Sequence, residues 1–180
     1  PDAIPLLKQM IEQVPKRSLI SLKRDSVPWH VDLEGEGATD AGGPARDLFT
    51  QTCLEIMHPS TGLFIMTPNK RMMEGPNQEL LIPNSHAMSN VDHDMFIYSG
   101  VLMTIAYISR LPQPFKFAEF VWAHFTGAMM TIEDIYSIDK PFETLMRMIE
   151  EGEMDETELE KRCLTFTVMD SHGDSVELFP

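Results

Sequence analysis

Trp29-His30-Val31-Asp32-Leu33-Glu34-Gly35-Glu36-Gly37-Ala38-Thr39-Asp40-Ala41-Gly42-Gly43-Pro44-Ala45-Arg46-Asp47-Leu48-Phe49 is the stretch whose reading decides the fold. Trp29, Val31 and Leu33 alternate with His30, Asp32 and Glu34, the period-two pattern of a half-buried strand. Gly35 and Gly37 break the alternation. Pro44 suits the first turn of a helix, where a missing N–H costs nothing, and Leu48, Phe49, Cys53 and Ile56 follow at helical spacing. The segment therefore reads as strand, glycine turn, helix. Gly42 and Gly43 are expected to hold backbone conformations closed to other residues, so that Val at either costs on the order of 1–3 kcal/mol. A glycine turn before a helix can cradle phosphate. Here no nucleotide-binding spacing is present and acidic residues crowd the turn, so the glycines read as packing elements, with Arg46 paired to a nearby carboxylate.

The order of residues carries more than their composition. Asp40-Ala41-Gly42-Gly43 followed by Ala45-Arg46, an acid and an aromatic resembles the opening of the HECT domain of ubiquitin ligases. His58-Pro59 before Gly62-Leu63-Phe64 is similar to that family's Pro-x-x-Gly-Leu-Phe. Leu81-Ile82-Pro83-Asn84-Ser85 is similar to its Asn-Pro-Asn-Ser loop, with Ile82 where Asn is commoner. Thr131-Ile132-Glu133-Asp134 resembles its Thr-Leu-x-Asp helix start, and Leu164-Thr165-Phe166 its strand. These matches keep family order along the chain from Trp29 to Pro180.

Composition agrees with a globular chain: 180 residues, 43% hydrophobic and 23% charged. A net charge of -14 argues against nucleic acid or anionic membrane as partner and for basic protein surfaces. Two cysteines, Cys53 and Cys163, make no disulfide framework, which points to a reducing intracellular compartment, cytoplasmic with a nuclear location open. A start at Pro1 without Met or signal peptide reads as an excised piece. The most apolar run, Met95 to Ile108, falls short of the ~20 residues of a membrane span.

Along the chain, Ile4 to Val14 reads as an amphipathic helix closed by Pro15, and Lys16 to Asp25 as a connector or short strand. The helix Pro44 to Met57 ends before Pro59. Gly62 to Thr67 and Glu79 to Ile82 read as hairpin strands around a polar loop, Asn69 to Asn77. Ser89 or Asn90 caps a long helix with an apolar stripe of Phe96, Gly100, Met103 and Tyr107, where Gly100 lets a neighbouring helix approach. Pro112 and Pro114 end it and start another, carrying Phe117, Phe120, Val121 and Phe125.

After Gly127, Thr131 with Asp134 reads as a capped short helix. Asp139 caps the next, with Pro141 in its first turn and an apolar stripe of Phe142, Leu145, Met148 and Ile149. Glu150 to Glu160 is acidic, Thr165 to Val168 alternates like a strand, and Gly173 turns toward Val176 and Leu178. The expected fold class is α+β: a mainly helical large subdomain with short β-hairpins, residues 1–127, followed by a small α+β subdomain, residues 128–180.

Other constellations have bland readings. Cys163 with His172 lacks an orienting third group, and Cys in an apolar strand is usually a buried small hydrophobe. Asp92-His93-Asp94 reads as a polar helix start, since three consecutive residues do not converge on one ion; no metal or organic cofactor is expected. The fourteen Met read mostly as adaptable core filler.

The resemblance implies the N-terminal lobe of a HECT-type ligase, with the C-lobe absent. The intact enzyme would accept ubiquitin from a ubiquitin-conjugating enzyme as a Cys thioester and pass it to a substrate lysine. The family's catalytic Cys lies in a Thr-Cys-Phe segment of the C-lobe, so neither Cys53 nor Cys163 inherits that role and this piece alone is expected to be inactive. The family docks the conjugating enzyme between a helix and the strand after it, which maps onto Phe142, Leu145, Met148, Ile149 and Leu164; the same helix face can equally serve as core. Glu151 stands where some members place an aromatic. Some members also bind ubiquitin non-covalently through an aromatic before Gly-Leu-Phe and another in the late hairpin. Ser60-Thr61 and Asp170-Ser171-His172 stand there instead, so no specific ubiquitin binding is expected. The alternative function is a non-enzymatic acidic interaction module derived from a HECT lobe.

Overall fold

The computed structural model describes residues 6–13, 43–112, 114–162, 165, 167–170 and 172–178. The strand read at Trp29 to Leu33, the turn glycines up to Gly42, and Cys163, Leu164 and Phe166 lie outside the described residues. The elements divide into two compact units, residues 1–64 with 86–115, and residues 65–85 with 116–180.

The first unit is helical. It comprises α1 (Leu6–Gln13), α2 (Gly43–Ile56) and a long helix, Asn90–Ser109, which is α4 in chain order. Phe49, Cys53 and Ile56 of α2 interlock with Tyr98, Leu102, Ile105 and Ala106 of α4 to form the bulk of the core. α1 adds Leu7 and Met10, and is tied at both ends by polar groups. Glu55 Oε2 accepts the Leu7 N–H at 2.8 Å, and the Tyr98 hydroxyl donates to the Ile11 carbonyl at 3.2 Å. The buried hydroxyls turn back onto their own helices, Thr52 to Leu48 O at 2.7 Å and Ser99 to Met95 O at 3.0 Å, so neither costs an unsatisfied donor.

Three expectations about this unit are corrected. Gly43 is the first residue of α2, its φ is not in the left-handed region, and a Cβ there would meet nothing within 4 Å among the described residues. The strain expected at Gly43 is therefore absent. The core face of α4 is Tyr98, Ser99, Leu102, Ile105 and Ala106, whereas Tyr107, read as part of the stripe, is 82% exposed. Gly100 likewise meets nothing within 4 Å among the described residues, so no described helix approaches it closely.

The second unit opens within β1 (Phe64–Met66), at Ile65, followed by α3 (Pro68–Met72) and β2 (Leu81–Pro83). β1 and β2 pair as a two-stranded sheet, the expected hairpin. The intervening loop contains a short helix that its polar composition concealed: Thr67 caps it by accepting the Lys70 N–H, and Pro68 fills its first turn. Leu81 extends the sheet to the segment after α4, donating to Lys116 O at 2.7 Å and accepting from Ala118 N–H at 3.1 Å. α5 (Glu119–Thr126), α6 (Ile132–Tyr136) and α7 (Lys140–Glu150) follow, then α8 (Glu156–Lys161) in the acidic stretch, where no helix was expected. Phe117, Ala118, Val121, Tyr136 and Ile138 are buried here. Residues 65–85 and 116–127 thus pack with the second unit, although the sequence placed them in the first.

The chain closes on a hairpin of β3 (Thr167–Met169) and β4 (Ser175–Glu177), antiparallel with Val168 opposite Val176. Asp170 Oδ1 accepts from the main-chain N–H groups of His172 and Asp174 at its tip, where Gly173 takes a φ of 89°. The described residues form eight α-helices and two small sheets, an α+β fold.

Candidate functional site

The candidate site is built on α7. Its start is fixed in the manner its sequence implies: Asp139 Oδ1 accepts the Phe142 N–H at 3.0 Å, and Pro141 sits in the first turn. Leu145 and Ile149 lie one turn apart on the same face, with Phe142 and Met148 beside them. No residue of this helix is buried. Phe142, Leu145, Met146 and Met148 are partly exposed, and Ile149 is 45% exposed. An amphipathic helix that served only as core would bury this face; here it is covered only in part.

The opposite flank of α7 is ionic. Glu143 accepts from Lys140 Nζ at 2.9 Å and from Arg147 Nε at 2.8 Å. Those two hydrogen bonds, the one from Lys140 first, hold the Glu143 carboxyl below its ordinary range. The Arg147 guanidinium also lies 5.5 Å from the centroid of the Tyr136 ring, and Phe142 meets the same ring at 6.0 Å. Tyr136 is buried, and desolvation first, then the Glu150 carboxylate, raises its phenol above the usual value. At the end of α7 and just beyond it, the carboxylates of Glu150, Glu151, Glu153 and Asp155 are exposed, which gives the helix's C-terminal end an acidic rim.

Of the residues expected to line a docking groove, Phe142, Leu145, Met148 and Ile149 come together on α7, and Leu164 lies outside the described residues. Two side chains that hold the helix were missed. Asn69 is fully buried, and its Oδ1 accepts the Lys140 N–H at 2.6 Å. Asn77 Nδ2 donates to Ser137 O at 3.0 Å. Thr67-Pro68 is a helix-start signal that would have taken Asn69 out of the loop, though not revealed its partner.

The other candidates take structural roles. Asp92 Oδ2 accepts the Ser89 N–H at 2.9 Å while Ser89 Oγ accepts the Asp92 N–H at 3.1 Å, a reciprocal cap for α4. Both bonds to Ser89 keep the Asp92 carboxyl below its ordinary value. Cys53 is fully buried, and desolvation pushes its thiol up to about 12, the opposite of what a nucleophile needs.

The helix-rich α+β unit thus carries an amphipathic helix that is covered only in part and rimmed by acids. The profile of the HECT domain (ubiquitin-transferase) matches residues 50–180, and the chain belongs to that family. It is 33% identical over 150 residues to the E3 ubiquitin-protein ligase HERC2 of Homo sapiens and equally to that of Mus musculus. It is 27% identical over 165 residues to the E3 ubiquitin-protein ligase HACE1 of Danio rerio. These matches cover 83% and 91% of this chain, but only 3% of the HERC2 proteins and 16% of HACE1. Among the described residues, no helix is long and apolar enough to cross a membrane.

Proposed function

We propose that this chain is N-lobe sequence of a HECT-type E3 ubiquitin ligase and that residues 128–180 recruit the ubiquitin-conjugating enzyme. The observation that carries this reading is α7, an amphipathic helix with no buried residue in a chain of a ubiquitin-transferase family. Its half-covered face, Phe142, Leu145, Met148 and Ile149, accepts an apolar loop of the conjugating enzyme. The acidic rim from Glu150 to Asp155 meets basic residues beside that loop, which speeds encounter and makes association salt-dependent.

In the whole ligase, a thiolate attacks the carbonyl carbon of the ubiquitin thioester on the conjugating enzyme. A new C–S bond forms as the old one breaks, and the conjugating enzyme leaves as its thiolate. A substrate lysine amine then attacks the second thioester, giving an amide and releasing the ligase thiol. The energy is already stored in the incoming thioester, so no metal or organic cofactor is required. The reacting Cys belongs to C-lobe sequence outside these residues: Cys53 is buried with its thiol held protonated, and Cys163 lacks the Thr-Cys-Phe context. This chain alone therefore docks but does not transfer, and it works inside the cell, where conjugating enzymes are.

Calorimetric titration of the 180-residue chain with a panel of purified ubiquitin-conjugating enzymes tests the reading. Saturable binding by at least one enzyme, weakening with salt and moving the amide resonances of α7, is expected. Absence of binding across the panel would contradict it.

A further inference from the structure

Burial usually orients an amphipathic helix, yet α7 buries no residue. Among the described residues, its hydrogen bonds to other elements are gathered at its first turn. Asn69, 0% exposed, uses both ends of its amide there. Its Oδ1 accepts the Lys140 N–H at 2.6 Å, and its Nδ2 donates to Pro76 O at 2.8 Å and Ser137 O at 3.4 Å. Its main chain adds a fourth tie, Asn69 N–H to Ile138 O at 3.0 Å. Asn77 Nδ2 reaches the same Ser137 carbonyl at 3.0 Å.

The first turn of α7 is fully satisfied as a result. Lys140 N–H goes to Asn69, Pro141 has no N–H, and Phe142 N–H goes to Asp139. The residue type at 69 is narrowly specified. Asp would offer no donor to the Pro76 and Ser137 carbonyls, and Gln would need room for another methylene in a site without any. Gly75 closes the bracket, since a Cβ there would stand 2.8 Å from Lys140 Cβ and 2.9 Å from Asn69 Nδ2.

We propose that Asn69 is a positioning residue for partner docking, setting the direction of α7, and with it Leu145 and Ile149, without touching the partner. The proposal rests on the reading of α7 as the docking helix. Leverage makes it consequential: at 1.5 Å rise per residue, a tilt of about 10° at the first turn displaces the far end of an eleven-residue helix by about 3 Å. Loss of the bracket spreads α7 over several directions, and affinity falls with the fraction that remains competent.

The test compares Asn69→Ala and Asn77→Gly with the parent chain, by amide hydrogen exchange and by titration with the tightest-binding conjugating enzyme of the panel. In Asn69→Ala, the Lys140 amide is expected to exchange at least about tenfold faster, with resonances of 142–149 displaced and those of α2 and α4 unmoved. Affinity is expected to fall about tenfold. Asn77 has a φ of 57°, so Gly keeps its backbone and removes only the donation to Ser137. The same amides should respond less, with affinity down about threefold, and this variant decides the matter if Asn69→Ala fails to fold. Unchanged Lys140 exchange, or unchanged affinity in a folded Asn69→Ala chain, overturns the proposal. If the parent binds no enzyme of the panel, the docking reading fails, and the positioning proposal that rests on it falls too. The Lys140 exchange result still tells whether the bracket itself holds α7, so the two failures are told apart.

Discussion

Glu143 Oε1 accepts from Arg147 Nε at 2.8 Å, one helical turn ahead, while Oε2 accepts from Lys140 Nζ at 2.9 Å. The carboxylate lies between two cations on its own helix, and hydrogen bonds from Lys140 and then Arg147 lower its pKa below the ordinary carboxylate range. A depressed carboxyl stabilises the fold fully above its unfolded value and loses that contribution as pH falls through the folded one. Glu143→Gln should therefore flatten the acid limb of the stability curve below the usual carboxylate range, with little change in its steepness above neutrality. Denaturant unfolding at stepped pH checks this. High salt should shrink the difference between variant and parent, since Arg147 is half exposed.

The glycines divide in their tolerance. Gly75 has a φ of 77°, and a Cβ there meets Lys140 Cβ at 2.8 Å, so Gly75→Ala should destabilise by about 1–3 kcal/mol. Gly43 opens α2 with φ outside the left-handed region, so Gly43→Ala should cost less than Gly75→Ala. Paired thermal and denaturant unfolding separates the two magnitudes.

Cys53 should behave as packing, not as chemistry. With the side chain fully buried and the thiol pushed up to about 12, little thiolate is available near neutrality. Peptide mapping after brief alkylation of the native chain should leave Cys53 unlabelled, and unfolding should make it reactive. Truncating its neighbour Phe49, 1% exposed, to Ala should cost about 3–5 kcal/mol through loss of contacts and the cavity left behind.

Free ubiquitin should not bind at the Gly-Leu-Phe segment. Ser60 is exposed in the short turn Pro59–Thr61, and no aromatic stands immediately before Gly62. A central apolar anchor is missing. Titrating ubiquitin into the labelled chain should leave the Gly62 amide unmoved, whereas localised, saturable shifts there would count against this reading.

How far the sequence could be read varied with the residues. The caps at Ser89, Thr131 and Asp139 lie within four residues of the groups they serve, so spacing alone exposes them. The amphipathic face of α7 was legible because charges occupy its other side. The buried face of α4 was not: Met95 to Ile108 is apolar almost all round, so periodicity cannot choose a side. Contacts with α1 and α2 make the choice, as the Tyr98 bond to Ile11 illustrates. Asn69 stayed hidden for a related reason. Its partner Lys140 stands 71 positions later, and nothing in a polar loop distinguishes an asparagine that holds a distant helix from one that faces water.

The central claim is that α7 offers its half-covered apolar face to a ubiquitin-conjugating enzyme. Calorimetric titration of Leu145→Ala and Met148→Ala, each checked by circular dichroism, measures it most directly. Both side chains are only partly buried, so the variants should stay folded. Each should lose about 1–2 kcal/mol of binding free energy relative to the parent. If both remain folded and bind a conjugating enzyme as tightly as the parent does, the docking face lies elsewhere and the claim is wrong.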